Sequence, residues 1–264
     1  MSDPGIFDDP YLLAHAQTIA GRLSHAKALE ARLIQGKGGS LHAFADYHQC
    51  FGLFFEDEKD AWVFREWAPH ALDIFMVCDK TGWQKKREFR LERKEEGVFE
   101  KRFPRDTFSH GDLYRLMVVW PGGEGDRIPT AAQRVVQDPH TLIFNAQVWQ
   151  PPHPHQWKIN RFIPAKAPLL IYETHVGMAL EQGRIGTYQE FEQYILPKIV
   201  DSGYNTLQVM AVQEHPYYAS FGYHVSSFFA PSSRFGTPDE LKSLVDAAHA
   251  KGIRVLMDII HSHA

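Results

Sequence analysis

The segment LLIYETHV at residues 169–176 is an almost continuous run of apolar side chains. Two further runs follow it, TLQVMAV at 206–212 and IRVLMDII at 253–260. Such runs are typical of strands that are covered on both faces, as in a parallel sheet. The two connections carry capping boxes at 187–190 and 237–240, and each box predicts the start of a helix. The order β-α-β-α-β therefore predicts parallel strands joined by right-handed crossovers.

Three strands are too few to close a (β/α)8 barrel, which takes about eight. The sequence ends at Ala264, directly after the third run and with no helix to cover it. An uncovered strand leaves unpaired backbone groups at the edge of a sheet. We therefore expect the chain to be the front portion of a longer polypeptide.

Three other parts are predicted upstream. Apolar residues recur at helical spacing between Asp8 and Gln35, which predicts an amphipathic helix. From about Leu41, short alternating runs separated by Gly and Pro predict a small β-sandwich. Prolines between Pro151 and Pro168 then predict a linker. The predicted domains are a helical extension at 1–37, a β-sandwich at 38–150, a linker at 151–168 and the α/β part at 169–264.

Composition excludes several function classes. The 264 residues carry 28 Lys and Arg against 32 Asp and Glu, so no global basic field favours nucleic acid. No apolar run reaches the length of about 18 residues that a membrane helix needs. The first residues lack a secretory signal pattern, and Cys50 and Cys78 are too few for a disulfide framework. We therefore expect a cytoplasmic protein.

Polar side chains follow each of the three parallel strands. In such folds, ligands bind beyond the carboxyl ends of the strands. Carboxylates and imidazoles can bind sugar hydroxyls, and the aromatic rings can pack on the sugar ring. The same residues also have structural interpretations, such as helix capping, contacts with Arg or packing. The candidates at these ends are Glu173, His175, Glu214, His215, Asp258, His261, His263 and the aromatic loop at 216–224.

A family resemblance rests on three stretches of this region: YETHVGM at 172–178, the long run at 196–252 and DIIHSHA at 258–264. Together they resemble the starch- and glycogen-branching enzymes of the α-amylase superfamily, glycoside hydrolase family 13. FREWAPHA at 64–71 and DKTGW at 79–83 resemble carbohydrate-binding module family 48, which precedes the barrel in these enzymes. The first helix is similar to the helical extension of the eukaryote-like branch of the family. The implied fold is a helix, a β-sandwich and strands one to three of an α/β TIM barrel.

The resemblance implies roles for individual residues. In the barrel, Tyr223 matches the tyrosine that stacks on the sugar beside the scissile bond. Asp258 matches an aspartate that helps to order that site, and His263 matches a histidine that hydrogen-bonds the same sugar.

In the module, Trp83 matches a tryptophan that stacks on glucan, and Arg115 lies near a second glucan contact. The implied partner is therefore an α-glucan such as glycogen, starch or amylose. The family tripeptide that lies beside bound glucan matches Trp67, Ala68 and Pro69.

The resemblance also implies what this sequence lacks. Retaining chemistry needs two carboxylates about 5 Å apart. In the family they lie on barrel strands four and five, so the nucleophile and the acid/base fall beyond Ala264 and the chain alone is expected to be inactive. Ser262 replaces an asparagine that binds calcium in many α-amylases, so neither a metal nor a cofactor is expected.

Three alternatives to a branching enzyme remain open. An isoamylase-like debranching hydrolase has the same architecture, although the loop GYHVSSFFAP at 222–231 favours branching. A non-catalytic glycogen-binding protein would use the sandwich alone. A metal-dependent hydrolase would use His261 and His263, whose i, i+2 spacing puts both side chains on one side of an extended segment.

Overall fold

A computed structural model of the chain describes residues 9–36 and 39–261. These residues fall into two compact units, one that ends at Cys50 and one that begins at Phe51.

The first unit is helical. Helix α1 spans Ala16–Gly36 and follows a 3₁₀ turn at Leu13–His15. The predicted helix is confirmed within the described residues, although its first turns are not α-helical. Asp9 accepts a hydrogen bond from the backbone N–H of Tyr11 at 2.9 Å, as expected of a residue that caps a turn.

Two short helices complete this unit, α2 at Leu41–Phe44 and α3 at Tyr47–Cys50. The expectation of short strands from Leu41 is therefore wrong for this stretch. The local reason is Ser40, whose hydroxyl accepts a hydrogen bond from the backbone N–H of Ala43 at 3.1 Å and caps α2.

The second unit begins with nine antiparallel strands in two sheets. One sheet has the order β1-β2-β5-β4, and the other has the order β3-β6-β9-β8 with β7 paired to β6. The strands are β1 (Gly52–Glu56), β2 (Ala61–Trp67), β3 (Asp73–Cys78), β4 (Glu92–Arg93), β5 (Val98–Pro104), β6 (Leu113–Trp120), β7 (Gly123–Arg127), β8 (Val135–Gln137) and β9 (Phe144–Gln147).

The two sheets enclose one apolar core, as the alternation of the sequence requires. Phe64 on β2 and Ile74 on β3 are fully buried, while Arg65 next to Phe64 lies on the other face of β2. The predicted β-sandwich is thereby confirmed. Its fully or nearly fully buried side chains include Trp62, Phe64, Ile74, Met76, Phe99, Phe103, Tyr114, Leu116 and Ala146.

The α/β part follows. Strands β10 (Ile171–Thr174), β11 (Thr206–Val209) and β14 (Arg254–Met257) form a parallel sheet in the order β10-β11-β14. The predicted parallel β-α-β-α-β arrangement is confirmed. Between these strands lie α4 (Tyr188–Glu190), a π-helical turn (Phe191–Ile195), α5 (Leu196–Asp201), β12 (Gln213–Glu214), β13 (Ser227–Pro231) and α6 (Pro238–Ala250).

Both capping boxes form as the sequence predicts. Thr187 and Glu190 cap α4, and Thr237 and Glu240 cap α6, each with reciprocal hydrogen bonds. A π-helical turn precedes α5, and Pro197 lies in the first turn of α5.

Strand β10 is more exposed than its sequence suggests. Ile171 is 40% exposed, whereas Leu207 on β11 is fully buried. The reason is position, since β10 pairs only with β11 and lies at an edge of the sheet, whereas β11 lies at the centre.

The proline-rich segment before β10 packs on α6. The carboxylate of Asp246 accepts hydrogen bonds from the backbone N–H groups of Lys158 at 2.8 Å and Ile159 at 2.9 Å. The ring of Phe162 stacks on that of His249, with 4.2 Å between the ring centroids. These contacts hold the proline-rich segment against α6 at residues 158, 159 and 162.

Asp246→Ala is expected to lower the free energy of unfolding by about 2–3 kcal/mol, because two charge-assisted hydrogen bonds are lost. The hydrogen bond from Lys158 is the first cause that holds the pKa of Asp246 below its usual value. The stabilisation that ionised Asp246 gives to the fold is therefore complete above the pKa of Asp246 in the unfolded chain. It is lost as the pH falls through the pKa of Asp246 in the folded chain. Urea unfolding of wild type and variant at neutral and acidic pH measures both effects. Asp106→Ala, at an exposed aspartate, is the control, and an equal loss in both variants would contradict the prediction.

Candidate functional site

Four polar side chains meet at the carboxyl ends of the parallel strands. The Tyr223 hydroxyl donates a hydrogen bond to Oδ2 of Asp258 at 2.8 Å. The amide nitrogen of Gln208 lies 3.0 Å from Oδ1 of Asp258 and 3.0 Å from Oε1 of Glu173. Tyr223 and Asp258, which are 35 positions apart in the chain, are thus direct partners.

The aromatic loop carries Tyr223 to the strand ends. Gly222 has φ of +87° in this loop, a backbone conformation that favours glycine. The Tyr223 side chain is exposed, so one of its faces can meet a ligand. Its hydrogen bond to Asp258 is the main cause that raises the pKa of Tyr223 to about 12, and the charge of Glu173 adds to the effect. The phenol is therefore a neutral donor at physiological pH.

Three strand-end candidates are buried in the protein interior. Glu214 is fully buried and accepts a hydrogen bond from the backbone N–H of Ser233 at 2.7 Å. His215 is also fully buried and bonds the carbonyl of Gln213 through Nδ1 at 2.9 Å. His175 is only 6% exposed, and burial lowers the pKa of its imidazole. The expectation that these three side chains face a ligand is therefore wrong.

The C-terminal histidine pair has one member within the described residues. His261 is exposed there, while His263 and Ser262 lie outside them. The stretches 9–36 and 39–261 contain no group of three or more His, Cys, Asp or Glu side chains that could hold a metal ion.

The sandwich holds a second candidate site. The guanidinium of Arg115 lies over the Trp83 ring, 4.8 Å from its centroid. Nε1 of the indole donates to Asp79 at 2.7 Å, and Arg115 also pairs with Asp126 on β7. Trp83 has φ of +59°, so it lies in the left-handed region at the end of the DKTGW turn. The turn, β6 and β7 thus supply the residues that hold the indole in place.

The predicted tripeptide lies on the other sheet, at the end of β2. Trp67 is 53% exposed, and its indole nitrogen donates to the carbonyl of Glu96 at 3.0 Å. The backbone N–H of Ala68 donates to the carbonyl of Gly97 at 2.9 Å, and the carbonyl of Pro69 accepts from Arg93 at 2.9 Å. The tripeptide at 67–69 therefore presents one exposed tryptophan, on a different sheet from Arg115.

Sequence reasoning missed Gln208 at the strand ends. A signal was present, because Gln208 is the one strongly polar residue inside the apolar run at 206–212. It also missed Asp79 and Asp126, which bond Trp83 and Arg115 from four and eleven positions away, because the folded turn and the β6–β7 hairpin determine these contacts. Among the described residues, no helix has both the length and the apolar character to cross a membrane.

Comparison with family models gives two matches in this order along the chain. Residues 50–141 match the carbohydrate-binding module 48 (isoamylase N-terminal domain). Residues 200–264 match the α-amylase catalytic domain.

Three curated proteins similar to this chain are named as 1,4-alpha-glucan-branching enzymes. A 1,4-alpha-glucan-branching enzyme from Rhizophagus irregularis is 40% identical over 99% of the chain, which covers 39% of that protein. The enzyme of that name from Yarrowia lipolytica is 38% identical over 97% of the chain, which covers 38% of it. The Arabidopsis thaliana 1,4-alpha-glucan-branching enzyme 2-2, chloroplastic/amyloplastic, is 40% identical over 97% of the chain, which covers 32% of it. The chain thus spans roughly two fifths of the first of these relatives.

Solved structures share the fold. The GBS pullulanase SAP in complex with maltotetraose has a TM-score of 0.65 and 18% identity over 79% of this chain and 33% of its own. The catalytic module of the pneumococcal glycogen-degrading protein SpuA has a TM-score of 0.60 and 17% identity over 79% of this chain and 37% of its own. At such identities the likeness concerns architecture alone.

Proposed function

We propose that this chain, which matches a family 48 carbohydrate-binding module followed by the start of an α-amylase catalytic domain, is the N-terminal part of a 1,4-α-glucan branching enzyme. The observation that carries the proposal is the 2.8 Å hydrogen bond between Tyr223 and Asp258. It joins the two described residues that the family resemblance assigns to one sugar.

The proposed reaction has two steps, both in the complete enzyme. An α-1,4 link is cleaved with formation of a covalent glycosyl–enzyme, and the chain is then transferred to a 6-hydroxyl to form an α-1,6 branch. Two carboxylates about 5 Å apart are needed for this chemistry. We propose that both are supplied beyond Ala264, so residues 169–264 contribute sugar binding while bond cleavage depends on the following strands.

Within this division, Tyr223 supplies an aromatic face and Asp258 fixes its hydroxyl. Asp258 and Glu173 are acceptors for hydroxyls of the sugar, which suits a polar ligand with many donors. His263 is proposed to bind the same sugar.

Branching activity is tested on the complete polypeptide with amylose. A branching enzyme lowers the iodine colour of amylose and creates α-1,6 links while the number of reducing ends stays constant. In a parallel assay on glycogen, whose α-1,6 links a debranching hydrolase can cleave, an increase in reducing ends without new α-1,6 links would favour the debranching alternative instead.

We propose α-glucan binding by the module through Trp83 and Arg115, with Trp67, Ala68 and Pro69 as a second contact. The fixed indole of Trp83 offers a flat face to a sugar ring, and Arg115 and Asp126 beside it offer hydrogen-bonding groups. Glycogen, starch and amylose share this ligand chemistry.

Trp83→Ala is expected to weaken the retention of the chain in native gels that contain glycogen by about five- to thirtyfold, since an aromatic contact of roughly 1–2 kcal/mol is lost. The matched control is Trp120→Ala. Trp120 is also part-exposed, but its position on β6 puts it on the other face of the strand from Arg115. Equal retention of the Trp83 variant and wild type would contradict glucan binding at this pair.

We propose a cytoplasmic location, supported by the low cysteine content of the chain, which has only Cys50 and Cys78. The name of the plant relative points to plastids for that protein. Fractionation of cells that express a tagged full-length protein distinguishes the two compartments.

A further inference from the structure

Gln208 lies at the centre of the parallel sheet, between two acidic side chains. The register pairs Glu173 on β10 with Gln208 on β11, and Gln208 with Leu256 on β14. Asp258 follows Leu256 by two positions, so alternation puts all three polar side chains on the same face. The amide thus lies between the carboxylates of Glu173 and Asp258.

The chemistry of the amide fixes its orientation. The Gln208 nitrogen has two protons, and each carboxylate oxygen beside it lies at 3.0 Å. An ionised carboxylate only accepts hydrogen bonds, so the group that faces both must be the NH₂ and not the carbonyl. Both protons are therefore used, one for each carboxylate.

This arrangement has a consequence for Asp258. Its Oδ1 accepts from Gln208 and its Oδ2 accepts from Tyr223 at 2.8 Å, so two donors define the plane of the carboxylate. A neutral double donor also lets Glu173 and Asp258 remain close despite their like charge. Without it, Asp258 is free to rotate away from Tyr223.

We propose that Gln208 is a positioning residue of the sugar site, which holds the Asp258 carboxylate in the orientation that fixes the Tyr223 hydroxyl. That the ligand held there is an α-glucan rests on the proposed function. The positioning itself is a property of the chain and can be measured without a ligand.

The test uses the whole 264-residue chain with 3-fluorotyrosine in place of Tyr223. The fluorinated phenol ionises at a lower pH than tyrosine, so ¹⁹F NMR can follow its titration while the protein stays folded. The variants are Gln208→Leu, which removes both donors, and Gln208→Asn, which keeps an amide but is one methylene too short to span both carboxylates. Asp258→Asn gives the effect of losing the acceptor charge, and Gln189→Leu, at an exposed glutamine on α4, is the matched control.

In the otherwise unchanged chain, the pKa at position 223 is expected to lie above that of free 3-fluorotyrosine. Gln208→Leu and Asp258→Asn should each lower it by about one unit or more, Gln208→Asn should lower it in the same direction, and Gln189→Leu should leave it unchanged. If Gln208→Leu unfolds the chain, Gln208→Asn decides alone. A pKa that stays constant in the folded Gln208 variants, or that is not raised at the start, overturns the proposal.

Binding of maltoheptaose, followed by intrinsic fluorescence in chains that also carry Trp83→Ala and Trp67→Ala so that the proposed module contacts do not contribute, separates this inference from the proposed function. Gln208→Leu is expected to weaken binding about tenfold, and the control should not change it. If maltoheptaose binds no form of the chain while the pKa shifts appear, the sugar assignment fails and the positioning role stands. If maltoheptaose binds all forms equally and the pKa is constant, the positioning role fails alone.

Discussion

Glu214→Ala is expected to lower the free energy of unfolding by about 3–5 kcal/mol, the typical cost of removing one partner of a buried ion pair. Glu214 is fully buried, and its Oε1 lies 3.4 Å from Nη1 of Arg234. Oε1 also accepts from the Ser232 hydroxyl at 3.3 Å, and Oε2 accepts from the backbone N–H of Ser233 at 2.7 Å. Removal of the carboxylate leaves these donors and one cation without their acceptor in the protein interior.

The loss of Glu214 is also expected to affect the β-sandwich, because Arg234 contacts a residue of β9. Arg234 also donates to the carbonyl of Pro216 at 2.8 Å, and its guanidinium lies 5.9 Å from the ring centroid of Phe144 on β9. A cation that has lost Glu214 is expected to move toward solvent and to weaken the contact between β9 and the α/β part. The change should therefore be seen in the unfolding of both parts.

Urea unfolding followed by circular dichroism measures the effect. Glu214→Gln keeps the shape and one acceptor oxygen, so its cost is expected to be about 1–3 kcal/mol, the cost of an imperfectly satisfied buried group. A loss below 1 kcal/mol for Glu214→Ala would show that the buried carboxylate contributes little to the fold.

The same residue shows a limit of sequence reasoning. Glu214 follows an apolar run in the same way as Asp258 does, and the pattern alone makes both candidates for a ligand site. What separates them is the short ribbon of β12 and β13. Glu214 belongs to this ribbon and accepts hydrogen bonds from Ser232 and Ser233 just after β13, whereas Asp258 bonds the Tyr223 loop. The antiparallel pairing of two residues with a later segment has no periodic signal that a sequence can supply.

Local patterns did predict the main elements. The short alternating runs predicted after Leu41 include β2 and β3, because alternating side chains record which face of a strand is buried. The capping boxes marked the beginnings of α4 and α6 because those hydrogen bonds are local. The sequence did not predict the β6–β7 hairpin, since β7 consists of exposed Gly and charged residues with no apolar face.

The candidate site at the strand ends was predictable only in part. Tyr223 and Asp258 could be named from the family resemblance, and the structure joins them directly. The amide that links Asp258 to Glu173 depends on strand register, which only the folded sheet defines. The anchoring of residues 158 and 159 on Asp246 is also a tertiary contact, across 88 and 87 positions of sequence.

Gly222→Ala is the second change with a large expected effect, because it acts on both the fold and the site. A Cβ atom at position 222 would overlap the carbonyl oxygen of Ala211 and come within 2.9 Å of the Ala211 Cβ. The φ of +87° adds a backbone penalty for any L side chain. Together these costs are expected to lower the free energy of unfolding by about 2–4 kcal/mol.

A matched control separates the overlap from the backbone penalty. Gly203 has a similar φ of +82°, but a Cβ there would meet nothing within 4 Å. Gly203→Ala is therefore expected to cost only about 1–2 kcal/mol, the strain of the left-handed conformation. If the two variants unfold at the same urea concentration, the close approach of Gly222 to Ala211 does not contribute.

The functional consequence follows from the position of Gly222 beside Tyr223. The loop can relieve the overlap only by moving away from Ala211, and this movement carries the Tyr223 hydroxyl away from Asp258, to which it is now 2.8 Å distant. In a chain with 3-fluorotyrosine at position 223, Gly222→Ala should therefore lower the pKa of that phenol, whereas Gly203→Ala should not. A lower stability with an unchanged pKa at position 223 would mean that the loop adapts elsewhere and that Gly222 serves packing alone. The expected pair of changes would mean that the close approach of one glycine to the strand end determines where the aromatic face of the site lies.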